Sequence, residues 1–292
     1  MKNSKSKSYR IFTYILLGIV AFTFLFPLYW IVTGAFKTGA DIFSPKPVLF
    51  PTEWTLNNFE RLLSKRSSPL FSFFGIEGPM APSAYRWLIN TVFMSVAAMV
   101  LTCITAAMAG YALAKKRFRG RHIIFGLIVC AMALPKQVIL IPLLREMSAL
   151  EMYNTLWAVI CPTVGWPFGV FLMKQFSEGV PGEMLEAARI DGASELRTFF
   201  TVVMPLIKPG IGALAIFTFI NVWNDYFMQL VMLADNDIQT ISLGISTLRS
   251  ESSVDMGILM AGAAMAAAPI IIVFLIFQKY FTQGITMGAV KG

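Results

Sequence analysis

In the stretch VPGEMLEAARIDGASELRTFFTVVMPLIKPG, Val180 to Gly210, seven charged residues interrupt an otherwise apolar chain. From Glu183 to Ile190 the residues are good helix formers, with Pro181 suited to the first turn and Glu183 favourable at the positive end of the helix. Gly192 stands where a helix would end in a left-handed residue, Ser194 can cap a second helix, and Pro205 is expected to stop it. Leu185 and Ala188 are three apart, as are Met184 and Ala187, so the first helix carries an apolar stripe whose middle is alanine. The chemistry open to such a stripe is docking. Small side chains permit close approach, and Glu186 and Arg189 at its edge can pair with each other or with a partner. A charged amphipathic segment resting on lipid headgroups would use the same residues.

A second set of polar residues lies inside apolar runs, where each is costly in hydrocarbon and usually faces a partner or a water-filled cavity. Asn221, Asn224, Asp225 and Met228 fall at i, i+3, i+4 and i+7, one face of a continuous helix. That face either lines or gates a pathway or makes hydrogen bonds between helices. Pro135, Lys136 and Gln137 interrupt another run, and Lys136 either sits deep in it or snorkels outward. Bond-making chemistry is not indicated. GxxxxGK[ST] and GxSxG are both absent, and the lone histidine, His122, lies in a basic loop. Cys103, Cys130 and Cys161 have no paired spacing and read as small buried apolar residues.

The elements that must position these groups are membrane helices. The chain is 57% hydrophobic and 14% charged, with a mean hydropathy of +0.68, outside the usual range of soluble domains. Six runs are long enough to cross a hydrocarbon core of ~30 Å. They are Ile11–Thr33, Trp87–Leu113, Ile123–Leu144, Asn154–Leu172, Gly210–Leu233 and Gly257–Phe281. The first is too long for a signal-peptide core and ends in Pro27, Tyr29 and Trp30 rather than a small-residue cleavage site, so it is expected to remain as a helix.

Basic residues set the orientation. Lys2, Lys5, Lys7 and Arg10 precede the first run, and AKKRFRGRH places Lys115, Lys116, Arg117, Arg119 and Arg121 between the second and third. Opposite flanks mix Arg145 with Glu146 and Glu151, and Arg249 with Asp235, Asp237, Glu251 and Asp255. Both termini, residues 1–10 and 282–292, are therefore expected in the cytoplasm around a transmembrane domain of residues 11–281. Residues 177–209 fall on the same side, and Gly34 to Arg86 lies outside. The net charge of +8 is largely this topogenic lysine and arginine, and no nucleic-acid partner is expected.

Glu186, Ala187, Ala188, Gly192, Val202, Met204 and Pro205 resemble the signature loop of binding-protein-dependent ABC import permeases. That signature is Glu-Ala-Ala, three residues, Gly, nine residues, then Ile-x-Leu-Pro, with valine and methionine here for isoleucine and leucine. FPLYWIVTGAFKTGADIF, INTVFMSVAAMVLTCITAAMAGYALAKKRFRGR, NVWNDY and GITMGAVKG extend the likeness to the six-helix subunit of maltose-type importers, the carbohydrate-uptake branch, over nearly the whole chain. The resemblance implies an all-α integral membrane protein of the type I ABC importer permease fold, in a bacterial or archaeal cytoplasmic membrane. Six transmembrane helices and a cytoplasmic coupling helix between helices four and five would make it half of a heterodimeric pore. Its implied partners are a second permease, two ATPase subunits that use ATP and Mg²⁺, and an extracytoplasmic sugar-binding protein, with no cofactor on this chain. By the same resemblance Glu186 contacts the ATPase, Ala187 and Ala188 allow close packing and Gly192 provides the turn. Arg189, Asp191 and Pro205 complete that loop, and Ala234–Asp255 meets the binding protein. A secondary transporter or channel would share the hydropathy, but no internal duplication is evident. A membrane enzyme lacks a catalytic constellation.

Overall fold

An unpaired backbone N–H or C=O is so costly in lipid that long apolar runs have little alternative to helix. The computed structural model describes residues 7–64, 67–69, 80–250 and 255–289, and helices dominate them. The basic residues Lys2 and Lys5, Glu251, and residues 290–292 of the tail lie outside the described residues. In chain order the helices are α1 (Lys7–Ala35), α2 (Gly39–Ile42), α3 (Asn57–Ser64), α4 (Ser83–Lys115), α5 (Arg121–Ala131), α6 (Lys136–Ala149), α7 (Trp157–Val164) and α8 (Pro167–Glu178). There follow α9 (Gly182–Ile190), α10 (Glu195–Thr198), a π turn (Phe199–Val203), α11 (Met204–Leu206), α12 (Lys208–Trp223), α13 (Tyr226–Met232), α14 (Ile241–Ser250) and α15 (Met256–Ala289). Two three-residue strands, Ser67–Pro69 and Met80–Pro82, pair.

Among the described residues four helical stretches are long and apolar enough to cross a membrane: Tyr9–Ala35, Ser83–Lys115, Trp157–Glu178 and Met256–Gln278. The number rises to six if two bent pairs each form one span, α5 with α6 at 107° and Glu195–Leu206 with α12 at 80°. The expected runs Ile123–Leu144, Asn154–Leu172 and Gly210–Leu233 are thus not unbroken helices. Pro135 stands at the N-cap of α6 and Pro167 at the start of α8, where a missing N–H is tolerated. In the third case Asp225 restarts the helix by accepting the Met228 N–H at 3.3 Å.

The chain divides into two compact units, one of Met1–Ser67, Pro82–Ala84 and Ile245–Ala267, the other of Ser68–Ala81, Tyr85–Gly244 and Ala268–Gly292. In the first, buried Asn58 donates to the carbonyls of Ala35 (3.0 Å) and Lys37 (2.8 Å), satisfying acceptors at the end of α1. Lys37 lies 3.9 Å over the Trp30 ring, and its burial holds the ammonium below the ordinary lysine value against the opposing charge of Asp41. The hydroxyl of Thr52, 2.7 Å from Asp41, pulls that carboxyl below its usual range.

The second unit has two apolar clusters. One gathers Met94, Met147, Leu156, Ile160, Val222, Met228 and Met232; the other gathers Cys103, Tyr111, Met173, Leu185, Phe199, Val203 and Leu214. Gly110 lets α4 approach α8 closely, since a Cβ there would fall 2.5 Å from the Lys174 nitrogen.

Candidate functional site

The charged loop folds as its residue types demand. Helix α9 ends at Asp191, whose N–H donates to Ala187 O (3.0 Å), and Gly192 follows with φ of +73°. Ala193 N–H then reaches back to Ala188 O at 2.9 Å, completing a left-handed C-terminal cap. Ser194 Oγ accepts the Arg197 N–H at 3.3 Å and starts α10. Pro205 does not stop the second helix. The helical run that starts at Glu195 continues through the π turn and past Pro205 to Leu206, and the bend comes one residue later.

Helix α9 has two faces with different work to do. Leu185 and Ala188 are buried, and Leu185 packs in the cluster of Tyr111, Val180, Phe199 and Val203. Ala188, expected at a partner, therefore faces its own chain, because the turn at Gly192 folds the helix onto that cluster. Met184, Glu186, Ala187 and Arg189 are exposed, as is Asp191 at the helix end. Ile190, which the motif does not single out, is 86% exposed. Glu186 and Arg189 do not pair with each other. Arg189 lies 3.7 Å from Glu195, and Glu186 has no ion pair among the described residues.

The basic run at the end of α4, expected to set orientation, also makes contacts within the chain. Lys115 Nζ donates to the carbonyls of Glu178 (2.9 Å) and Val180 (2.7 Å), where α8 runs out of internal donors. Lys116 pairs with Glu195, and that hydrogen bond is the main cause holding the Glu195 carboxyl below its usual value. Loop residues 178–195 are thereby tied to α4, a link that composition alone does not reveal.

The intramembrane polar residues meet at a cavity of about 580 Å³ in the second unit. The ends of all three helix breaks line it: Ala131, Met132 and Leu134 from the first, Gly165 and Trp166 from the second, Asp225 from the third. Lys136 Nζ donates to Asn221 Oδ1 at 2.5 Å and to Asp225 Oδ2 at 3.1 Å. Lys136, whose side chain is about half exposed, is thus held by two partners among the residues that line the cavity. Asn221, Asp225 and Met228 line this space, but Asn224 does not, since its side chain bonds back to Ile220 O at 3.0 Å. The four therefore do not share the face of one helix, because the helix ends at Trp223 and begins again at Tyr226. Trp166 and Phe168, ring centroids 5.0 Å apart, and Phe227 add aromatic surface that the polar pattern did not suggest. Among the described residues no group of His, Cys, Asp and Glu could hold a metal ion. The three cysteines are free; Cys103 is buried as expected, whereas Cys161 is half-buried and Cys130 exposed.

Residues 104–287 match the family described as binding-protein-dependent transport system inner membrane component. The chain is 34% identical over 277 residues to the arabinooligosaccharides transport system permease protein AraQ of Halalkalibacterium halodurans, covering 94% of each. It is 33% identical over 295 residues to the melibiose/raffinose/stachyose import permease protein MelC of Bacillus subtilis, covering 100% of each. A solved bacterial ABC transporter involved in the import of the acidic polysaccharide alginate has a chain similar to it at a TM-score of 0.78 and 26% identity, over 94% of this chain and 98% of that one. A match over well more than half of the chain, with relatives that cover nearly all of it, shows that this membrane protein belongs to the family of binding-protein-dependent transport system inner membrane components.

Proposed function

We propose that this chain is a permease subunit of an ATP-driven importer that moves a sugar or oligosaccharide into the cell, forming one half of a heterodimeric pore. Six spans place both termini and residues 177–209 in the cytoplasm of a bacterial or archaeal cell. There α9 acts as the coupling helix and docks on a partner ATPase that binds ATP and Mg²⁺. Closure of the ATPase pair becomes rigid-body movement of the membrane helices, opening the pathway to one side and then the other. An extracytoplasmic binding protein delivers the sugar to the opposite face, where residues 234–255 receive it.

The observation that carries this reading is the outward face of α9. It presents a charged Glu186 without an ion pair among the described residues and an Ile190 that is 86% exposed, on a helix whose other face is locked to its own core. An apolar anchor beside a charge that no described residue pairs suits a protein interface better than a free surface. The sugar follows from the named cargo of the relatives AraQ and MelC.

The test is sugar-stimulated ATP hydrolysis by the complete complex in vesicles. Glu186→Ala should leave the subunit inserted and lower stimulation and uptake together, because a desolvated charged contact costs ~2 to 5 kcal/mol when one partner is lost. Unchanged stimulation would reduce α9 to an ordinary surface helix. Cysteines placed at 235 and 249 should crosslink to the binding protein, and crosslinks to the ATPase alone would overturn the orientation.

A further inference from the structure

The cavity at the three helix breaks carries two formal charges among the described residues that line it, Lys136 and Asp225, and these neutralise each other at 3.1 Å. Asn221 takes another of the three Lys136 donors at 2.5 Å. Asp225 is itself held in place, since it accepts the Met228 N–H as the cap of α13. The rest of the lining is neutral. Trp166 and Phe168 add aromatic surface, and Gln137 adds an amide; the Thr163 hydroxyl donates to Val159 O at 2.9 Å and keeps acceptor capacity.

Irregular backbone at membrane depth is tolerated where it lines a cavity, and sites built from broken helices are where membrane transporters hold polar cargo. Saccharides have apolar C–H faces that stack on aromatic rings and hydroxyls that exchange hydrogen bonds with amides and alcohols. A charged solute faces a different balance here. Its ionised group would lose water, and its opposite-sign partner among the described lining residues, Lys136 for an anion or Asp225 for a cation, is already engaged by the other.

Resting on the importer reading above, we propose that this chain itself holds a saccharide subsite in this cavity, and that the site is selective for uncharged sugars. Asp225 sets that selectivity by neutralising Lys136. With Asp225→Asn the lysine becomes a free cation and the site accepts a uronate; with Lys136→Gln the carboxylate is left alone and the site accepts an amino sugar.

The experiment uses the complete importer in lipid nanodiscs without its external binding protein, which would otherwise do its own selecting. Cys130 and Cys161 are replaced by serine, and Gln137→Cys serves as a reporter whose alkylation by a maleimide slows when the cavity fills. Maltotriose and raffinose are the neutral probes, trigalacturonate the acidic one and the trimer of glucosamine the basic one. With Lys136 and Asp225 both present, a neutral probe should slow alkylation and the charged trimers should not. D225N should make trigalacturonate protective, with apparent affinity raised at least about tenfold. K136Q should do the same for the glucosamine trimer, and the double variant K136Q/D225N should again favour neutral probes. The double variant keeps the test open if a single charge change prevents folding.

Failure of both neutral probes to protect would remove the subsite. Equal protection by trigalacturonate with and without D225N, in a folded complex, would remove the selectivity. ATP hydrolysis in the same preparation separates the two levels: hydrolysis without protection overturns only the subsite, whereas a chain that retains no ATPase overturns the importer reading and the subsite with it.

Discussion

Arg86 and Asp237, 151 residues apart in the sequence, meet with Nη1 2.8 Å from Oδ1, while Arg86 Nη2 donates to the Asn236 carbonyl at 2.7 Å. The Arg86 side chain is 2% exposed and that of Asp237 61%. The two sides of this pair should therefore respond differently to removal. Asp237→Ala leaves a buried cation without its counter-charge, a change that costs ~3 to 5 kcal/mol when water stays out. Because water can reach the vacated carboxylate position, about 2 kcal/mol is expected. Arg86→Met takes the buried charge away together with its need for a partner and should cost less. Thermal unfolding of the purified subunit gives the order, and an Arg86→Met variant less stable than Asp237→Ala would contradict it.

The two faces of α9 make a second separable prediction. Leu185→Ala should destabilise the chain by ~2 kcal/mol, because a buried side chain of the core cluster is truncated. Ile190→Asp should leave the melting temperature within error, since the side chain is 86% exposed. It should nonetheless reduce retention of the ATPase at least about tenfold, the loss expected of an interface anchor. The measurement pairs a melting curve with quantitative co-purification for each variant. Loss of ATPase by Leu185→Ala alone, with Ile190→Asp normal, would reverse the assignment of the faces.

What could be read from the residues depended on how local the governing physics was. The turn at Gly192 and the cap at Ser194 were legible because each is decided within a few residues. The apolar runs were legible because lipid demands length and composition. The breaks were harder: hydropathy averages over a window and does not register that Pro135 or Asp225 starts a new helix. Lys136 stood out as a basic residue in an apolar run, yet its partners lie 85 and 89 residues away, at a helix break whose path the sequence does not state. Ile190 was invisible for the opposite reason, since an isoleucine in an apolar chain attracts no notice until its exposure is known.

Glu195 supplies a pH prediction. The Lys116 hydrogen bond is the largest cause lowering its carboxyl, with the charges of Lys116 and Arg189 adding to it and partial burial opposing. A depressed folded value means that the ionised form is favoured by folding. Its contribution is full above the unfolded value, near 4.5, and fades as pH falls through the lower folded one. The pair is largely exposed, so no more than about 1 kcal/mol is at stake. The stability difference between the unaltered chain and Glu195→Gln should be steady near neutral pH, shrink below the usual glutamate range and weaken in high salt. A difference that grows on acidification would have the wrong sign.

The last prediction concerns backbone conformation alone. Gly192 has φ of +73°, and beyond its own residue and its chain neighbours no described atom lies within 4 Å of where its Cβ would be. A side chain there has room, so the penalty for Gly192→Val is the strain of a left-handed β-branched residue, roughly 1 to 2 kcal/mol. Asparagine tolerates that conformation better, and Gly192→Asn should lose much less. The strain acts on the junction that sets α9 against α10, not on the spans. Both variants should therefore insert and assemble, with sugar-stimulated hydrolysis reduced in Gly192→Val and largely kept in Gly192→Asn while basal hydrolysis stays unchanged in both. Equal loss in the two would mean that the position needs empty space for a partner rather than a left-handed turn, and no loss in either would free the junction from any role in coupling.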